Sequence, residues 1–214
     1  MNMKLITNPD EFFAELKTKD ISIIVPILII IGIAILAGIN QYVLINKIWQ
    51  IVPENLAQLF TIGAYIGVIG AFIGTFATWF IITAIMYGLS ALLGGKGSFY
   101  RTFTFIGYGF LPSLVGSLIA TPISTYYIIN ANISEINLTY LKQNPEVIIT
   151  FLLPEEVIYS LLIINIAMIA WSLVIWSFAL KHARDLSVNR ALICVLVPTV
   201  PFGLYQIWRI LALL

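Results

Sequence analysis

The sequence predicts an all-α protein that crosses a membrane five times, and this prediction rests on the composition and on the spacing of charges. Of 214 residues, 60% are hydrophobic and 10% are charged. An ordinary soluble domain has about 45–50% apolar and about 25% charged residues. Because so few polar residues cannot cover a soluble core, the composition indicates an integral membrane protein. The net charge of +1 offers no basic field, so no nucleic-acid partner is expected.

Five long uncharged stretches separate the charged residues. They hold 26, 41, 33, 24 and 18 residues and lie between Asp20 and Lys47, Glu54 and Lys96, Arg101 and Glu135, Glu156 and Lys181, and Arg190 and Arg209. A helix needs roughly 20 apolar residues to cross a bilayer, whereas strands of a membrane barrel have about 10 residues with a period of two. We therefore predict helical spans at about 21–45, 59–92, 103–129, 157–180 and 191–213.

The second stretch is long enough for either one tilted helix or a helical hairpin. With a cytoplasmic N-terminus and Arg209 set aside, five spans place eight Lys and Arg residues inside and two outside, whereas six spans place four inside and six outside. Cytoplasmic loops carry an excess of Lys and Arg. Residues 61–83 also contain no Pro, Asn or Asp that would favour a turn. We therefore predict a single second span, a cytoplasmic N-terminus and a C-terminus on the outer side.

Residues 1–20 are predicted to form a cytoplasmic amphipathic segment ahead of a single membrane domain at 21–214. Asn8 is a good N-cap residue, and Glu11 follows it with capping-box spacing. The apolar side chains on one face of the helix are Phe12, Phe13 and Leu16. The pattern favours a helix lying at the membrane surface, and the alternative is a docking helix for a soluble partner.

Glycines recur along one face of the second span at the heptad positions Gly63, Gly67, Gly70 and Gly74. Small residues let helix backbones approach closely inside a membrane. The stripe favours packing against another helix of the same chain. The alternatives are homodimerisation through the stripe and a substrate path lined by glycines.

Three segments and the five-span plan together resemble the Yip-domain family, the Ypt/Rab-interacting proteins. The segments are NPDEFFAELK at 8–17, LLGGKGSFYRTFTFIGYGFLP at 92–112 and ALKHARDLSVNRALICVLVP at 179–198. Gly107, Tyr108 and Pro112 match the central motif of that family. From the residues alone, Pro112 lacks a backbone donor and is expected to kink the third span.

Eukaryotic members of the family are Golgi and endoplasmic-reticulum proteins that associate with prenylated Rab-type GTPases. Their acidic cytosolic region and its D-L-Y-G-P motif are not matched here. The resemblance therefore implies a compact prokaryotic-type member in a cell membrane, and it implies a fold more than an activity.

Among the polar side chains of the predicted spans, Asn165, Gln206 and Arg209 are the candidates for a function inside the membrane. Asn40 and Gln41 close the first span. Pro198 and Pro201 are expected to loosen the last span near its middle. We expect the candidate side chains to form hydrogen bonds that hold helices together. The alternative is a polar cavity, open to the outer side, that takes a small solute or a lipid headgroup.

Two polar regions lie at the predicted membrane surfaces. The segment Lys181–Asp185 follows the fourth span and is predicted to anchor anionic lipid headgroups. In the outer loop, Asn132 and Asn137 each begin an N-x-S/T triplet, which is a pattern accepted for glycosylation.

No Asp, Glu, Lys or His lies deep within a predicted span, and no catalytic constellation appears. We therefore expect no enzymatic activity, catalytic residue, metal or cofactor. The first expectation is a scaffold or membrane-trafficking protein that contacts lipids, itself through the glycine stripe, or a protein partner at the cytoplasmic face. The alternative is a channel, transporter or lipid-handling protein with an outward-facing polar cavity.

Overall fold

The structure, a computed structural model, describes residues 3–52, 57–133 and 148–211. Within these ranges it leaves out the side chains of residues 57, 59, 60, 149, 206, 209 and 210. The described residues form nine α-helices and no strand: α1 Lys4–Thr7, α2 Pro9–Lys17, α3 Ile24–Trp49, α4 Ala57–Leu92, α5 Phe99–Tyr108, α6 Leu111–Asn130, α7 Ile148–Leu152, α8 Glu155–Arg184 and α9 Val188–Leu211.

Five helical segments of the described chain are long and apolar enough to cross a membrane, which confirms the predicted five-span fold. They are Ile24–Trp49, Thr61–Leu92, Phe99–Asn130, Glu155–Arg184 and Val188–Tyr205. The second span is one continuous helix of 36 residues rather than a hairpin. At about 1.5 Å per residue, this helix is about 54 Å long, which exceeds the thickness of a bilayer core of about 30 Å.

The third span is interrupted where the sequence predicts a kink. Helix α5 ends at Tyr108 and α6 begins at Leu111, with Pro112 in its first turn. Proline has no N–H, so it is tolerated in the first turn of a helix but not in its interior. The backbone N–H of Gly109 instead donates to the carbonyl of Ile106, 3.0 Å away, in a tighter turn that ends α5.

The predicted N-terminal helix is present as α2, and Asn8 caps it as expected. The Asn8 side-chain oxygen accepts a hydrogen bond from the backbone N–H of Glu11 at 3.3 Å. In the other direction, the Asn8 amide donates to the Glu11 carboxylate at 2.9 Å. The backbone N–H of Asn8 donates to the backbone carbonyl of Lys4, so it is not free for the Glu11 carboxylate. That carboxylate therefore binds the side-chain amide of Asn8 instead of its backbone.

Helix α2 packs on the bundle, and its apolar face is used for that contact. Phe13 is fully buried, and its ring centroid lies 5.4 Å from that of Phe105 in α5. The neighbouring ring of Phe12 meets Tyr108 at 5.3 Å. The third span of the same chain therefore covers the aromatic face of α2. From the sequence alone, this face is expected to contact the membrane surface or a soluble partner. We call this end of the bundle the α2 end.

The opposite end of the bundle is joined by a separate set of contacts. The ammonium group of Lys47, near the end of α3, donates to the carbonyl of Ile129 near the end of α6 at 2.8 Å. Short helix α7 adds the buried Ile148 and Leu152 to a second apolar cluster there. This arrangement places the C-terminal ends of α3 and α6 together, as expected for the first and third spans of an up-and-down bundle, which run parallel to each other.

Candidate functional site: a cavity in the centre of the bundle

All five spans line a cavity of about 480 Å³ at the middle of the bundle. Ligand pockets in proteins commonly have volumes of about 300–1,000 Å³. Each span contributes at least one residue to the wall, and in chain order these include Ile33, Thr78, Ser113, Asn165 and Thr199. The site is therefore a property of the whole bundle rather than of one helix pair.

The cavity wall is mostly apolar and reaches the surface of the bundle between α4 and α9. Ile81 and Ile85 of α4 and Phe202 of α9 line the cavity and are each between 43% and 54% exposed. Since these residues belong to membrane spans, the surroundings of the opening are hydrocarbon rather than water. The cavity is thus open sideways to the bilayer core.

Several hydroxyl groups on the wall are already satisfied by their own helices. Thr75 donates to the carbonyl of Ala71 at 2.9 Å. Thr199 donates in the same way to the carbonyl of Val195 at 2.7 Å. Bonds of this kind to the residue four positions earlier are a common solution for Ser and Thr in helices. These hydroxyls therefore need no hydrogen bond from a molecule inside the cavity.

Two polar groups of α8 on the wall have no partner within the described chain. The hydroxyl of Ser172, a residue only 1% exposed, is buried without a hydrogen bond. Asn165 lines the same cavity, is exposed to it, and makes no hydrogen bond to the described residues. A buried polar group without a partner costs about 1–3 kcal/mol. Asn165 makes none of the expected hydrogen bonds to a neighbouring helix within the described chain, and it stands on the wall of a cavity, where the alternative interpretation places it.

The wall of the cavity towards the α2 end is formed by the break in the third span and by Trp176. The indole N–H of Trp176 donates to the carbonyl of Ile106 at 2.9 Å. A Cβ added to Gly109 would overlap the ring of Trp176. Glycine at 109 thus lets the indole lie directly against the broken helix, and Phe110 packs on the same ring at 5.2 Å between centroids.

The other glycine of the motif, Gly107, has a comparable role beside a second tryptophan. A Cβ at this position would lie 2.8 Å from the ring of Trp79 and 2.7 Å from Pro26. The indole N–H of Trp79 donates to the carbonyl of Phe103 at 3.0 Å. The family motif therefore has a physical function in this chain, since its glycines let two tryptophans bind the backbone of α5.

The positive segment Lys181–Asp185, at the end of α8, is only partly available to lipid headgroups. Arg184 is 3% exposed, and its guanidinium group lies over the ring of Tyr87 at 4.2 Å. It donates to the Ser90 hydroxyl at 2.9 Å, to the Gly95 carbonyl at 2.8 Å and to the Gly97 carbonyl. The prediction that this arginine anchors lipid is wrong, because the turn between α4 and α5 surrounds it.

The turn itself is shaped by glycine. Gly94 and Gly97 have positive φ angles of 81° and 122°, which other residues rarely adopt. The backbone N–H of Lys96 donates to the carbonyl of Arg184 at 2.7 Å. The glycine-rich loop therefore serves to wrap around the end of α8, and it joins two of the segments that resemble the family.

Two other basic residues of the segment contact an acidic side chain of α2. Lys181 and His182 each contact the Asp10 carboxylate at 2.6 Å, and Lys17 pairs with Asp185. The hydrogen bond from Lys181, followed by that of His182, holds the pKa of Asp10 below its ordinary value. These contacts fasten α2 to the end of α8 by charge, in addition to the aromatic contacts of Phe12 and Phe13.

The glycine stripe of α4 does not form the predicted packing seam within the chain. An added Cβ at Gly63, Gly70 or Gly74 would meet nothing within 4 Å. Only Gly67 approaches a neighbour, since its Cβ would lie 3.0 Å from the amide nitrogen of Gln41 in α3. Three of the four predicted packing positions therefore present an open surface.

Hydrogen bonds do hold two spans together, but at a residue other than those predicted. The Asn40 amide in α3 donates to the Thr121 hydroxyl at 3.2 Å, and its oxygen accepts from the Ser124 hydroxyl at 2.8 Å. The sequence marks Asn40 only as a polar residue near a span end. Its interhelical role depends on which helix faces it, and spacing along one chain does not give that information.

The remaining candidates divide between described and undescribed parts of the chain. Gln206 and Arg209 lie on α9, but their side chains are outside the described residues. Asn132 is exposed just after α6, and Asn137 lies outside the described residues.

The five spans, the interrupted third helix and the central cavity define a polytopic α-helical membrane protein. The chain belongs to the Yip1 domain family, which matches it over residues 3–210. It is similar to an uncharacterized protein of Methanocaldococcus jannaschii, with 40% identity over 127 residues, or 59% of this chain and 90% of that relative. No solved structure matches the chain significantly. The archaeal relative agrees with the expected compact prokaryotic-type member.

Proposed function

We propose that this protein handles lipid within the bilayer and does so without enzymatic chemistry. The observation that carries the proposal is the central cavity, which all five spans line and which opens sideways to hydrocarbon. Its walls offer apolar surface with a few hydroxyl and amide groups, as a pocket for a lipid-like ligand would. The described wall holds no pair of ionisable groups that could perform acid–base catalysis.

Filling the cavity tests this function. The protein is reconstituted into liposomes, extracted gently and analysed by native mass spectrometry for bound lipid. Thr78→Trp adds bulk to the cavity wall, whereas Ile69→Trp places the same indole at a position on α4 that is 57% exposed and does not line the cavity. We expect bound lipid with the native chain and Ile69→Trp, and several-fold less with Thr78→Trp. Equal amounts in both variants would contradict the proposal.

A second candidate function is the membrane scaffold, and the open glycine stripe specifically favours it. Gly63, Gly70 and Gly74 present a smooth face at which another helix could approach closely. The partner would be a second copy of the chain or another membrane protein, and the polar face of α2 would be available to a cytoplasmic partner.

The scaffold is tested by self-association in liposomes, measured as energy transfer between donor- and acceptor-labelled copies. Gly70→Leu and Gly74→Leu together should reduce the transfer. Tyr65→Leu is the matched control, since Tyr65 is 66% exposed and lies on the other side of α4 at 3.6 residues per turn. Transfer that is the same in all variants would remove the stripe as an association surface.

We further propose that the α2 end faces the cytoplasm of a prokaryotic cell, with the N-terminus inside and the C-terminus outside. The support is the distribution of Lys and Arg, with eight on one side and two on the other when Arg209 is set aside. Lys96→Cys should then be protected from an impermeant thiol reagent in intact cells, and Lys142→Cys should react. The opposite pattern would reverse the orientation.

A further inference from the structure

We infer that the cavity binds an uncharged lipid that carries hydrogen-bonding groups, such as a long-chain alcohol, rather than a charged one. This inference rests on the proposed lipid-handling function and specifies its ligand. The observation behind it is that Ser172, which is buried, and Asn165, which is exposed, make no hydrogen bond within the described chain, on a wall whose other side chains are apolar or carry hydroxyl groups. A cavity that held only hydrocarbon chains would leave both groups unsatisfied.

The unpartnered hydroxyl of Ser172 stands out against other hydroxyls of the same helix. Ser160 and Ser177 both donate to the carbonyl four residues earlier at 2.7 Å. The same kind of acceptor precedes Ser172, yet its hydroxyl is buried without a bond. Its oxygen is almost wholly covered by protein, so a rotation of the Ser172 side chain has to turn it towards a bound molecule, to which it can then donate or from which it can accept.

Asn165 supplies a second hydrogen-bonding side chain on the same wall. It precedes Ser172 by seven residues, which is about two helical turns and about 10 Å along α8, so both side chains lie on one helix face. Its amide offers both donors and an acceptor. A chain-like ligand lying along α8 would therefore meet two hydrogen-bonding positions separated by apolar surface.

The charge of the ligand is limited by what lines the cavity. The described wall contains apolar, hydroxyl and amide side chains and no ionisable one. A charged group in such surroundings would lose its hydration without gaining an opposite charge, which is costly. An alcohol loses only hydrogen bonds to water, and Ser172 and Asn165 can replace them.

Photoaffinity labelling of the full chain in phosphatidylcholine liposomes tests this inference. Three probes share one alkyl chain with a diazirine and differ only in ending as an alcohol, a carboxylate or an ammonium group. We expect the alcohol probe to label peptides that line the cavity at least about fivefold more than the charged probes. A competing unlabelled alcohol should suppress that labelling.

Matched variants connect the labelling to the two polar groups. Ser172→Ala and Asn165→Ala should each reduce labelling by the alcohol about fivefold, the effect of losing one net hydrogen bond of about 1 kcal/mol. The controls are Ser160→Ala and Asn46→Ala, whose side chains bond to Glu156 and Tyr42 of their own helices. Ser172→Ala removes a hydroxyl that has no partner, so folding is expected to be retained.

The outcomes separate this inference from the function on which it rests. Failure of all three probes to label the cavity would overturn lipid handling itself. Labelling by all three probes to the same extent, unchanged in Ser172→Ala and Asn165→Ala, would leave lipid handling standing and overturn the preference for an uncharged lipid. Preferential labelling by either charged probe would also overturn it.

Discussion

The α2 end and the middle of the bundle use buried polar groups in opposite ways. At the α2 end, Arg184 has three acceptors, and the N–H groups of Trp79 and Trp176 each bind a backbone carbonyl. In the middle, Ser172 and Asn165 line a cavity without partners. Fully satisfied polar networks make a core rigid, whereas unsatisfied groups mark a place where something else can bind. The comparison contrasts an end fastened by its own hydrogen bonds with a cavity wall that leaves hydrogen-bonding groups unused.

The largest expected effect comes from removing the guanidinium group of Arg184. Arg184→Ala would leave the Ser90 hydroxyl and the carbonyls of Gly95 and Gly97 without their donor. At about 1–3 kcal/mol for each unsatisfied group, with partial rehydration, we expect a loss of about 3–5 kcal/mol in the free energy of unfolding. Equilibrium unfolding in mixed micelles would measure it.

Arg190→Ala is the control for this prediction. Arg190 begins the next helix on the same side, is exposed, and makes one described bond, to the carbonyl of Leu93 at 3.2 Å. Its removal should cost about 0.5 kcal/mol or less. Similar losses in the two variants would mean that the α2 end does not depend on the arginine buried in its turn.

The difference between these two arginines also shows where sequence reasoning stops. Both stand close to the end of a predicted span on the same side of the membrane, and the sequence gives no sign that only one of them is buried. Only the fold brings the Gly94–Gly97 turn around Arg184, because that turn lies about 90 residues earlier in the chain. Contacts between distant segments are not encoded in local composition.

Local features, by contrast, could be predicted well. The five spans follow from the lengths of uncharged stretches, the Asn8 cap from a local side-chain pattern, and the helix break from Pro112 and its missing N–H. The stripe at Gly63, Gly70 and Gly74 was assigned to the wrong neighbour, because periodicity identifies a helix face but not what covers it. The sequence offers a cavity at Asn165 only as an alternative, since the position and the walls of a cavity depend on the relative positions of five helices.

A second prediction compares Gly109, which is packed at the α2 end, with Gly70 on the open surface of α4. Gly109→Ala would place a Cβ into the indole of Trp176 and disturb its bond to Ile106. Overpacking of this kind costs about 1–3 kcal/mol, and we expect about 3 kcal/mol here. Gly70→Ala meets nothing within 4 Å and should stabilise the chain by up to about 1 kcal/mol through helix propensity.

Thermal unfolding followed by tryptophan fluorescence would check the glycine pair, because Trp176 itself reports on the change at 109. A Gly109→Ala protein as stable as the native chain would show that the break in the third span can shift away from the indole. The fastening of the α2 end would then rest only on its charged contacts.

The smallest expected effect concerns the attachment of α2 through Asp10, and it depends on pH. Lys181 and His182 depress the pKa of Asp10 in the folded state, so the unfolded state binds its proton more readily. The stabilisation is therefore present above the ordinary carboxyl pKa of about 4 and is lost as the pH falls below it. Because the Asp10 side chain is 43% exposed, we expect only about 0.5–1 kcal/mol at pH 7.

Asp10→Asn should lower the unfolding temperature by about 2 °C at pH 7, and the difference from the native chain should shrink towards pH 3. Asp20→Asn is the control, since the exposed Asp20 has no partner within the described residues. A constant difference at all pH values would mean that Asp10 acts through the shape of its side chain. No difference at any pH would mean that the buried ring of Phe13, which solvent does not screen, holds α2 in place alone.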